Sequence, residues 1–393
     1  MTLTTDRGNP VTPPITPNFS ATAPARLATR LAFFAAGFAM ACCAPLFPFF
    51  KANVGADKAE FGILLLCLGL GSIIAMPATG VMAARRGARP LILLGGFGLT
   101  AMLPLLALAG TPWVLGAGLF VFGAFLGTID VAMNVHGAEV EGQEKRPLMS
   151  NFHAHWSIGG FFGAGLITVL LSFSVPTTIC AVFGAATALV AMLAARPRFL
   201  RVVGNEPEPS AFPRGIVLLL GVHAGIIFLV EGAVLDWGAL LIIDRDLASA
   251  ENAGVGYILF SVAMLAARLT GDRLVSRIGG FATLVLGGLI TMAGITTVLF
   301  ASFVPAAFFG FVLIGLGAAN LVPVLFSAAG RQKVMPPGIA IAAVTTTGYA
   351  GILLGPAMIG FISDASSLST AFLLLALLIL AVPISAWWVA RVP

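Results

Sequence analysis

The sequence predicts an all-α membrane protein with twelve transmembrane helices, arranged as two parallel, pseudo-symmetric halves of six helices each. The 393-residue chain is 59% hydrophobic and only 9% charged, whereas soluble domains carry about 25% charged residues. Apolar segments of roughly 20 residues, the length that crosses a bilayer as a helix, recur along the chain. They lack the period-two alternation of β-barrel strands. Finally, glycines repeat with an offset near half the chain length.

Polar breaks between the apolar segments delimit the helices. The predicted spans are 27–50, 60–84, 91–110, 113–137, 148–171, 177–195, 215–243, 253–270, 280–302, 304–328, 338–361 and 368–390. Residues 1–24 are rich in Pro, Thr and Asn without periodicity, which predicts a disordered tail. The predicted units are therefore this tail, an N-terminal half at 25–195, a charged linker at 196–214 and a C-terminal half at 215–393.

Basic residues concentrate in alternate loops. With the N-terminus inside, all but three of the 21 Lys and Arg fall in cytoplasmic segments, and the exceptions are Lys51, Lys58 and Arg245. Cytoplasmic loops of membrane proteins carry the excess of Lys and Arg. The sequence thus predicts that both termini are cytoplasmic. The formal net charge of +5 follows from this orientation, and no nucleic-acid partner is needed to explain it.

A shift of 192 residues superimposes glycines of predicted helices 2 to 5 on glycines of predicted helices 8 to 11. The coinciding pairs are Gly62/Gly254, Gly87/Gly279, Gly95/Gly287, Gly96/Gly288, Gly118/Gly310, Gly123/Gly315, Gly159/Gly351 and Gly163/Gly355. This exceeds what 46 glycines would give by chance. An offset near half the length indicates two parallel repeats related by an axis along the membrane normal.

Four groups of motif residues lie in the two halves. They are Leu126 to Asn134 with Gly137, Glu139 and Glu141; Asn151-Phe152-His153 with Ser157 to Gly165; Glu231-Gly232 with Asp236-Trp237; and Thr346 to Tyr349 with Gly355-Pro356. These motifs resemble the bacterial inner-membrane YbjJ-like family of the major facilitator superfamily. More distantly, helices 4 and 5 are similar to the fucose–proton symporters, where an acid-x-x-x-Asn pattern on helix 4 carries the proton. Asp130 and Asn134 occupy those positions.

Two features depart from the resembled families. The fucose symporters have a second acid on helix 1, but Leu31 to Phe50 is uncharged here. The superfamily loop Gly-x-x-x-Asp-Arg-x-Gly begins at Gly80 in this chain, and Ala84 stands at its acid position. In the second half that position is Ser276. A gating latch on this carboxylate is therefore expected to be weakened or absent, although its cations Arg85, Arg86 and Arg277 remain.

An ionisable group at membrane depth costs about 3 kcal/mol or more, so such a residue indicates function. Asp130 lies on predicted helix 4, where Gly123, Gly127, Asp130 and Asn134 form one stripe of small and polar residues. A carboxyl group in this position is suited to bind and release a proton. The alternative is a structural carboxylate tied to His153 or Ser157 on helix 5.

Glu231 lies at the middle of predicted helix 7, one of the helices that line the central cavity in the resembled superfamily. It is predicted to bind substrate or protons, and the alternative is a hydrogen bond between helices. Asp236 follows five residues later, a rotation of about 140° on a helix. Asp236 is therefore expected to serve the structure or a gate unless the helix bends at Gly232.

Further polar and aromatic residues are candidates for substrate binding, and Asn134 and Asp236 are counted among them. His153 and His155 lie on opposite helix faces, and one of them is expected to hydrogen-bond Asp130. Their spacing differs from the three or four residues of a helical metal pair, so no metal site is predicted. The remaining candidates are residues whose rings or amides suit a polar solute, each with packing as the alternative: Trp156, Trp237, Asn320 and Tyr349.

The predicted function is secondary active transport of a small polar or amphipathic organic solute, with sugar-like solutes among the candidates, by proton-coupled alternating access. A proton-driven multidrug or metabolite exporter is the alternative. A membrane sensor is the alternative of another class, but it would need a larger soluble segment than 196–214. The sequence contains no catalytic triad or phosphate loop, so no enzyme and no cofactor are predicted. The expected partners are the solute, protons and the lipid bilayer, with the protein a monomer in the inner membrane.

Overall fold

The structure is a computed structural model that describes residues 19–201, 212–247 and 252–392. These residues form an all-helical bundle. Its α-helices are α1 (Phe19–Val54), α2 (Lys58–Arg86), α3 (Arg89–Ala107), α4 (Pro112–Glu144), α5 (Met149–Ser172), α6 (Thr177–Ala195), α7 (Ile216–Asp244), α8 (Val255–Phe300), α9 (Val304–Ala318), α10 (Leu321–Arg331), α11 (Pro337–Ala365), α12 (Leu368–Leu378) and α13 (Ala381–Ala390). A short 3-10 helix, Arg196–Arg198, follows α6.

These helices give twelve apolar crossings in the part of the chain that the structure describes. Eleven helical segments are long and apolar enough to span a bilayer, with α9–α10 counted as one segment and α12–α13 as another. The 46-residue α8 contains two crossings, because Gly279 breaks it with φ 78° and ψ 165°. The predicted loop between residues 270 and 280 is therefore wrong, since the helix continues to Gly279.

The internal repeat is visible in the backbone at this break. Gly87, the partner of Gly279 at the 192-residue offset, has φ 76° and ψ 166° at the end of α2. A positive φ is accessible to glycine because it lacks a Cβ atom. Both halves thus turn between their second and third crossings on a glycine in the same conformation.

Proline explains the break between α9 and α10. Pro323 has no N–H group, so it cannot donate the helical hydrogen bond to the carbonyl of Ala319. The chain bends at Asn320, and helical bonding resumes with Val324 N donating to Asn320 O at 3.2 Å. The predicted helix 304–328 is therefore two helices, and the bend leaves the Ala319 carbonyl free for another donor.

Equivalent glycines allow close helix packing in each half. A Cβ atom at Gly159 of α5 would clash with the Phe34 carbonyl of α1, and one at Gly351 of α11 would clash with the Gly225 carbonyl of α7. The α5–α1 and α11–α7 pairs are therefore in backbone contact, as small-residue packing in membranes permits. The two halves meet mainly where α2 packs on α11 and α5 packs on α8.

The predicted tail and linker lie partly outside the described residues, which exclude 1–18 and 202–211. The described helix α1 begins at Phe19, before the tail boundary predicted at residue 24. The start of the linker returns to α4. Leu200 N donates to His136 Nε2 at 3.0 Å, and the Phe199 ring packs edge-on against the same imidazole.

The loop chemistry distinguishes two ends of the bundle. We call one the basic end, because α2, the α4–α5 loop and the Gly279 break bring Arg85, Arg86, Arg146, Arg273 and Arg277 there. The other we call the opposite end, where α1 and α7 finish near Lys51 and Arg245. That the basic end faces the cytoplasm stays a prediction.

Candidate functional site

Asp130 lies on α4, just after the segment of α4 that packs on α2 and close to α11. Gly123 and Gly127, earlier on the same stripe, pack against the α2 backbone, where any side chain would clash with Leu68 O or Ser72 O. Asp130 itself is 9% exposed. Its partners in the described chain are neutral. Asn134 Nδ2 donates to Asp130 Oδ1 at 3.0 Å and to the Asp130 carbonyl at 2.9 Å.

The second partner of Asp130 comes from the other half of the molecule. The Tyr349 hydroxyl of α11 lies near the Asp130 carboxyl group and interacts with it electrostatically. Tyr349, which was predicted separately, is thus brought to the predicted pair of Asp130 and Asn134. Because α4 and α11 belong to different halves, this interaction lies between them.

The histidine partner expected for Asp130 is wrong. His155 Nδ1 is hydrogen-bonded to the Asn151 carbonyl at 2.8 Å within its own helix. The His153 ring lies between Phe33 and Phe326, with centroid separations of 5.2 and 5.6 Å. His153 Nε2 is buried and has no hydrogen-bond partner in the described chain.

Glu231 has a cationic partner that the sequence analysis missed. Arg268, counted there with the cytoplasmic basic residues, lies inside the membrane-spanning part of α8 and is only 6% exposed. Its Nη2 atom is 3.7 Å from Glu231 Oε1. The sequence did indicate a basic residue within the membrane, since Arg268 interrupts the apolar sequence of α8 five residues before Arg273.

Arg268 is also held by two other contacts. Its Nε donates to the Ala319 carbonyl at 3.2 Å, which is free because Pro323 cannot donate to it. Its Nη1 donates to Ser157 Oγ of α5 at 3.1 Å, a contact between the two halves. Asn320 packs beside it, with Nδ2 donating to the Ala267 carbonyl at 3.4 Å.

The other predicted site residues do not join these two clusters. Asp236 is exposed, whereas Glu231 is partly buried. The Trp237 ring lies beside Gly360 of α11, and its Nε1 is buried without a hydrogen-bond partner in the described chain. Trp156 is half-buried, and its carbonyl packs against Gly37 of α1.

At the basic end, the acidic residues Asp272 and Glu141 make contacts between the two halves. Asp272 Oδ1 of α8 accepts a hydrogen bond from Asn151 N in the first turn of α5 at 3.3 Å. Glu141 Oε2 of α4 accepts from Leu148 N at 2.8 Å and from Met149 N at 3.0 Å, and Arg331 Nη1 of α10 is 3.6 Å from Glu141 Oε1. The first N–H groups of a helix lack partners in the helix and favour negative charge, so both acids stabilise the start of α5.

The weakened or absent latch on the motif carboxylate stays a prediction, but a different carboxylate, Asp272, makes a contact between the halves. Asp272 matches Gly80 at the 192-residue offset, one turn before the motif position occupied by Ser276. Arg85, Arg86 and Arg277 are exposed, and within the described residues they make no hydrogen bond or ion pair. A gating role for these three arginines stays a prediction. A cavity of about 240 Å³ lies at this closure, lined by Arg30, Arg146, Asn151 and Asp272 among others.

Comparison with known proteins assigns this arrangement to a family. The family model of the Major Facilitator Superfamily matches residues 30–332. The chain belongs to the Major Facilitator Superfamily. It is accordingly a multi-pass membrane transporter of a small-molecule substrate and not an enzyme, whereas membership of the YbjJ-like family stays a prediction.

Curated relatives and a solved structure agree with this assignment. The chain is 46% identical over 369 residues to an uncharacterized MFS-type transporter of Yersinia pestis, covering 93% of this chain and 96% of that one. It is 35% identical over 333 residues to an uncharacterized transporter of Sinorhizobium fredii, covering 81% and 86%. The crystal structure of the superfamily transporter FucP in the outward conformation has a similar fold, with a TM-score of 0.78, 19% identity, and coverage of 95% and 100%.

Proposed function

We propose that this superfamily member is a proton-coupled secondary active transporter and that Asp130 carries the proton. Its solute is a small polar or amphipathic organic molecule, and the monomer works in the bacterial inner membrane with the basic end in the cytoplasm. The halves at 25–195 and 215–393, joined by the linker at 196–214, move against each other by alternating access. The observation that carries this proposal is the burial of Asp130, 9% exposed, beside Asn134 and near the Tyr349 hydroxyl of the other half.

The surroundings of Asp130 support a proton-carrying role. An ionised carboxylate inside a membrane protein is costly unless a cation or hydrogen bonds compensate for it. No cation of the described residues forms an ion pair with Asp130, and its partners Asn134 and Tyr349 are neutral. Binding a proton therefore removes the charge without leaving an unpaired cation behind.

The position of Asp130 links its proton to the movement of the halves. An ionised carboxylate only accepts hydrogen bonds, whereas a protonated one also donates. A change of protonation at Asp130 thus alters its contact with the Tyr349 hydroxyl, and this contact lies between α4 and α11. The proton state thereby changes the stability of the closure that the two helices form.

Unpartnered polar atoms support a solute site between the halves. His153 Nε2, Asn134 Oδ1 and Asn320 Oδ1 are buried without a hydrogen-bond partner in the described chain. Buried polar groups in proteins are nearly always hydrogen-bonded, so such atoms mark places where a ligand or water completes the structure. All three residues were predicted to bind the solute.

Proton flux into proteoliposomes tests the proposal. Sugars, organic acids and cationic dyes are added in turn while an internal dye reports pH, with wild type and Asp130→Asn side by side. One class of solute is expected to move protons, and Asp130→Asn is expected to reduce this flux by about a hundredfold or more. Asp364→Asn, an exposed acid on α11, is the matched control and should stay within about twofold of wild type. Unchanged flux in Asp130→Asn would make Asp130 structural.

A further inference from the structure

We propose that Arg268 selects the solute by binding its carboxylate group, so that the transported substrate is an organic anion. This inference rests on the proposed transport function and deepens it. It starts from a residue with no place in the superfamily motifs quoted above. Arg268 is a cation buried between the halves, and one edge of its guanidinium group faces an acid, Glu231, without a hydrogen bond to it.

Two contacts orient the guanidinium group and leave a third position open. Nε bonds to Ala319 O at 3.2 Å and Nη1 bonds to Ser157 Oγ at 3.1 Å. Nη2 is directed toward Glu231 but makes no hydrogen bond to a described residue. Arginine binds carboxylates through parallel N–H donors in a planar fork. The structure therefore holds Arg268 in one orientation with donor capacity remaining on the Glu231 side.

The ionic groups of Arg268 and Glu231 are too far apart for a tight structural ion pair. The Nη2–Oε1 distance of 3.7 Å exceeds the hydrogen-bond range of about 2.7–3.2 Å. Glu231 Oε1 is buried and lacks a hydrogen-bond partner in the described chain. A buried ion pair stabilises a protein when its geometry is good and its remaining hydrogen bonds are satisfied. This pair meets neither condition, which suits a counter-ion that is exchanged during the cycle.

Charge balance favours an anionic solute. Arginine stays protonated in proteins, so Arg268 needs a negative partner throughout the cycle. When Glu231 binds a proton, the carboxylate of the solute takes its place beside Arg268, and the net charge of the site stays at zero. A cationic solute would instead add positive charge beside Arg268 at membrane depth. The site thus disfavours the cationic compounds that a multidrug exporter would carry.

Other ionisable groups lie near Arg268 and Glu231, where the counter-ion is exchanged. His153 of α5 and Glu231 of α7 interact electrostatically with Arg268, and Tyr257 of α8 interacts with Glu231 and Asp236. Ser157 and His153 belong to the N-terminal half, whereas Glu231 and Arg268 belong to the C-terminal half. An anion bound at Arg268 is therefore in contact with the interface that must open and close.

Uptake from a natural mixture tests the inference on many candidate solutes at once. A bacterial metabolite extract is separated by anion exchange into a retained anionic fraction and an unretained fraction. Wild-type proteoliposomes with an imposed proton gradient are incubated with each fraction, and mass spectrometry identifies the accumulated solutes. We expect accumulation from the retained fraction, at least a tenfold loss in Arg268→Gln and a smaller loss in Arg268→Lys, which keeps the charge but not the fork.

Two further variants separate anion binding from folding. Glu231→Gln/Arg268→Gln removes both charges, so no buried ion is left unpaired, and its unfolding transition in detergent checks the fold. We expect it to fold and to lose anion uptake. Pro323→Ala restores a donor for Ala319 O and thereby removes an anchor of Arg268. We expect it to raise KM for the anion several-fold while kcat changes little.

Accumulation of neutral or cationic solutes alone would overturn the inference, and so would undiminished anion uptake by the folded double variant. Accumulation of a non-anionic solute that depends on Asp130 would leave the proposed transport function intact. If wild type accumulates no solute from either fraction, the transport proposal itself fails and the inference fails with it.

Discussion

Asp130 and Arg268 lie in opposite halves of the bundle, and each interacts with a hydroxyl group from the other half. The Tyr349 hydroxyl of α11 interacts electrostatically with Asp130, and the Ser157 hydroxyl of α5 accepts a hydrogen bond from Arg268. Ser157 and Tyr349 coincide at the 192-residue offset of the internal repeat. The repeated scaffold therefore uses the same position on equivalent helices to contact a charged group across the interface.

The two contacts differ in their charge balance. Asp130 has neutral partners, whereas Arg268 has an acid, Glu231, 3.7 Å away. Removal of the charge at Asp130 leaves no cation unpaired, but removal of the charge at Glu231 leaves a buried arginine without a counter-ion. The comparison indicates that a duplicated helical scaffold can keep its packing while the two halves take up different chemical tasks.

The largest expected difference between the two sites is in stability. Glu231→Gln should lower the free energy of unfolding by about 3 kcal/mol, because loss of one partner leaves a buried charge uncompensated. Asp130→Asn should cost less than about 1 kcal/mol, since it leaves no unpaired cation. Unfolding in detergent, followed by tryptophan fluorescence, measures both. If Glu231→Gln/Arg268→Gln were as unstable as Glu231→Gln alone, the two side chains would not compensate each other.

Packing should respond alike in the two halves. Gly159→Ala and Gly351→Ala each place a methyl group against a backbone carbonyl of the neighbouring helix, which should destabilise the protein by about 1–3 kcal/mol. The same unfolding measurement applies. Gly160→Ala and Gly232→Ala are matched controls, because their added Cβ atoms would lie 3.9 Å from Ala41 Cβ and 3.7 Å from Ile352 Cα. A large difference between Gly159→Ala and Gly351→Ala would contradict equivalent packing.

The smallest expected effects concern the two hydroxyl groups. Tyr349→Phe removes the hydroxyl that interacts with Asp130, an interaction of about 1 kcal/mol, and should slow proton-coupled uptake about fivefold. Ser157→Ala should slow it only about twofold, since Arg268 retains its bond to Ala319 O. Initial uptake rates in proteoliposomes measure both. Thr187→Val, which removes an exposed hydroxyl bonded within its own helix, is the control, and the reverse order of effects would contradict the greater dependence of Asp130 on its hydroxyl.

Local patterns predicted much of the fold. Hydropathy located the crossings, and the 192-residue repeat anticipated two halves whose equivalent glycines, Gly87 and Gly279, share a backbone conformation. The predicted helix boundaries were wrong where a single residue breaks or bends a helix. Gly279 replaces a predicted nine-residue loop, and Pro323 divides a predicted helix at Asn320, because a proline removes one hydrogen bond whose effect hydropathy does not register.

In the candidate site, too, one pairing was available from the sequence and others were missed. The pairing of Asp130 with Asn134 depends on helical spacing of four residues and was available from the sequence. The pairing of Arg268 with Glu231 was missed, because a basic residue near a helix end satisfies the orientation rule equally well on either side of the membrane boundary. Asp272 was missed for a similar reason, since it stands one turn away from the motif position where the latch acid was expected.

The sequence by itself determined the properties that depend on neighbours along the chain: twelve apolar crossings, their repeat in two halves, and the stripe on α4 that ends in Asp130 and Asn134. Only the tertiary structure decided which partners these side chains meet. Tyr349 reaches Asp130 from 219 positions further along the chain, and Ser157 reaches Arg268 across a separation of 111. Such contacts depend on how helices of the two halves pack, and periodicity within one helix carries no information about the helix that lies opposite.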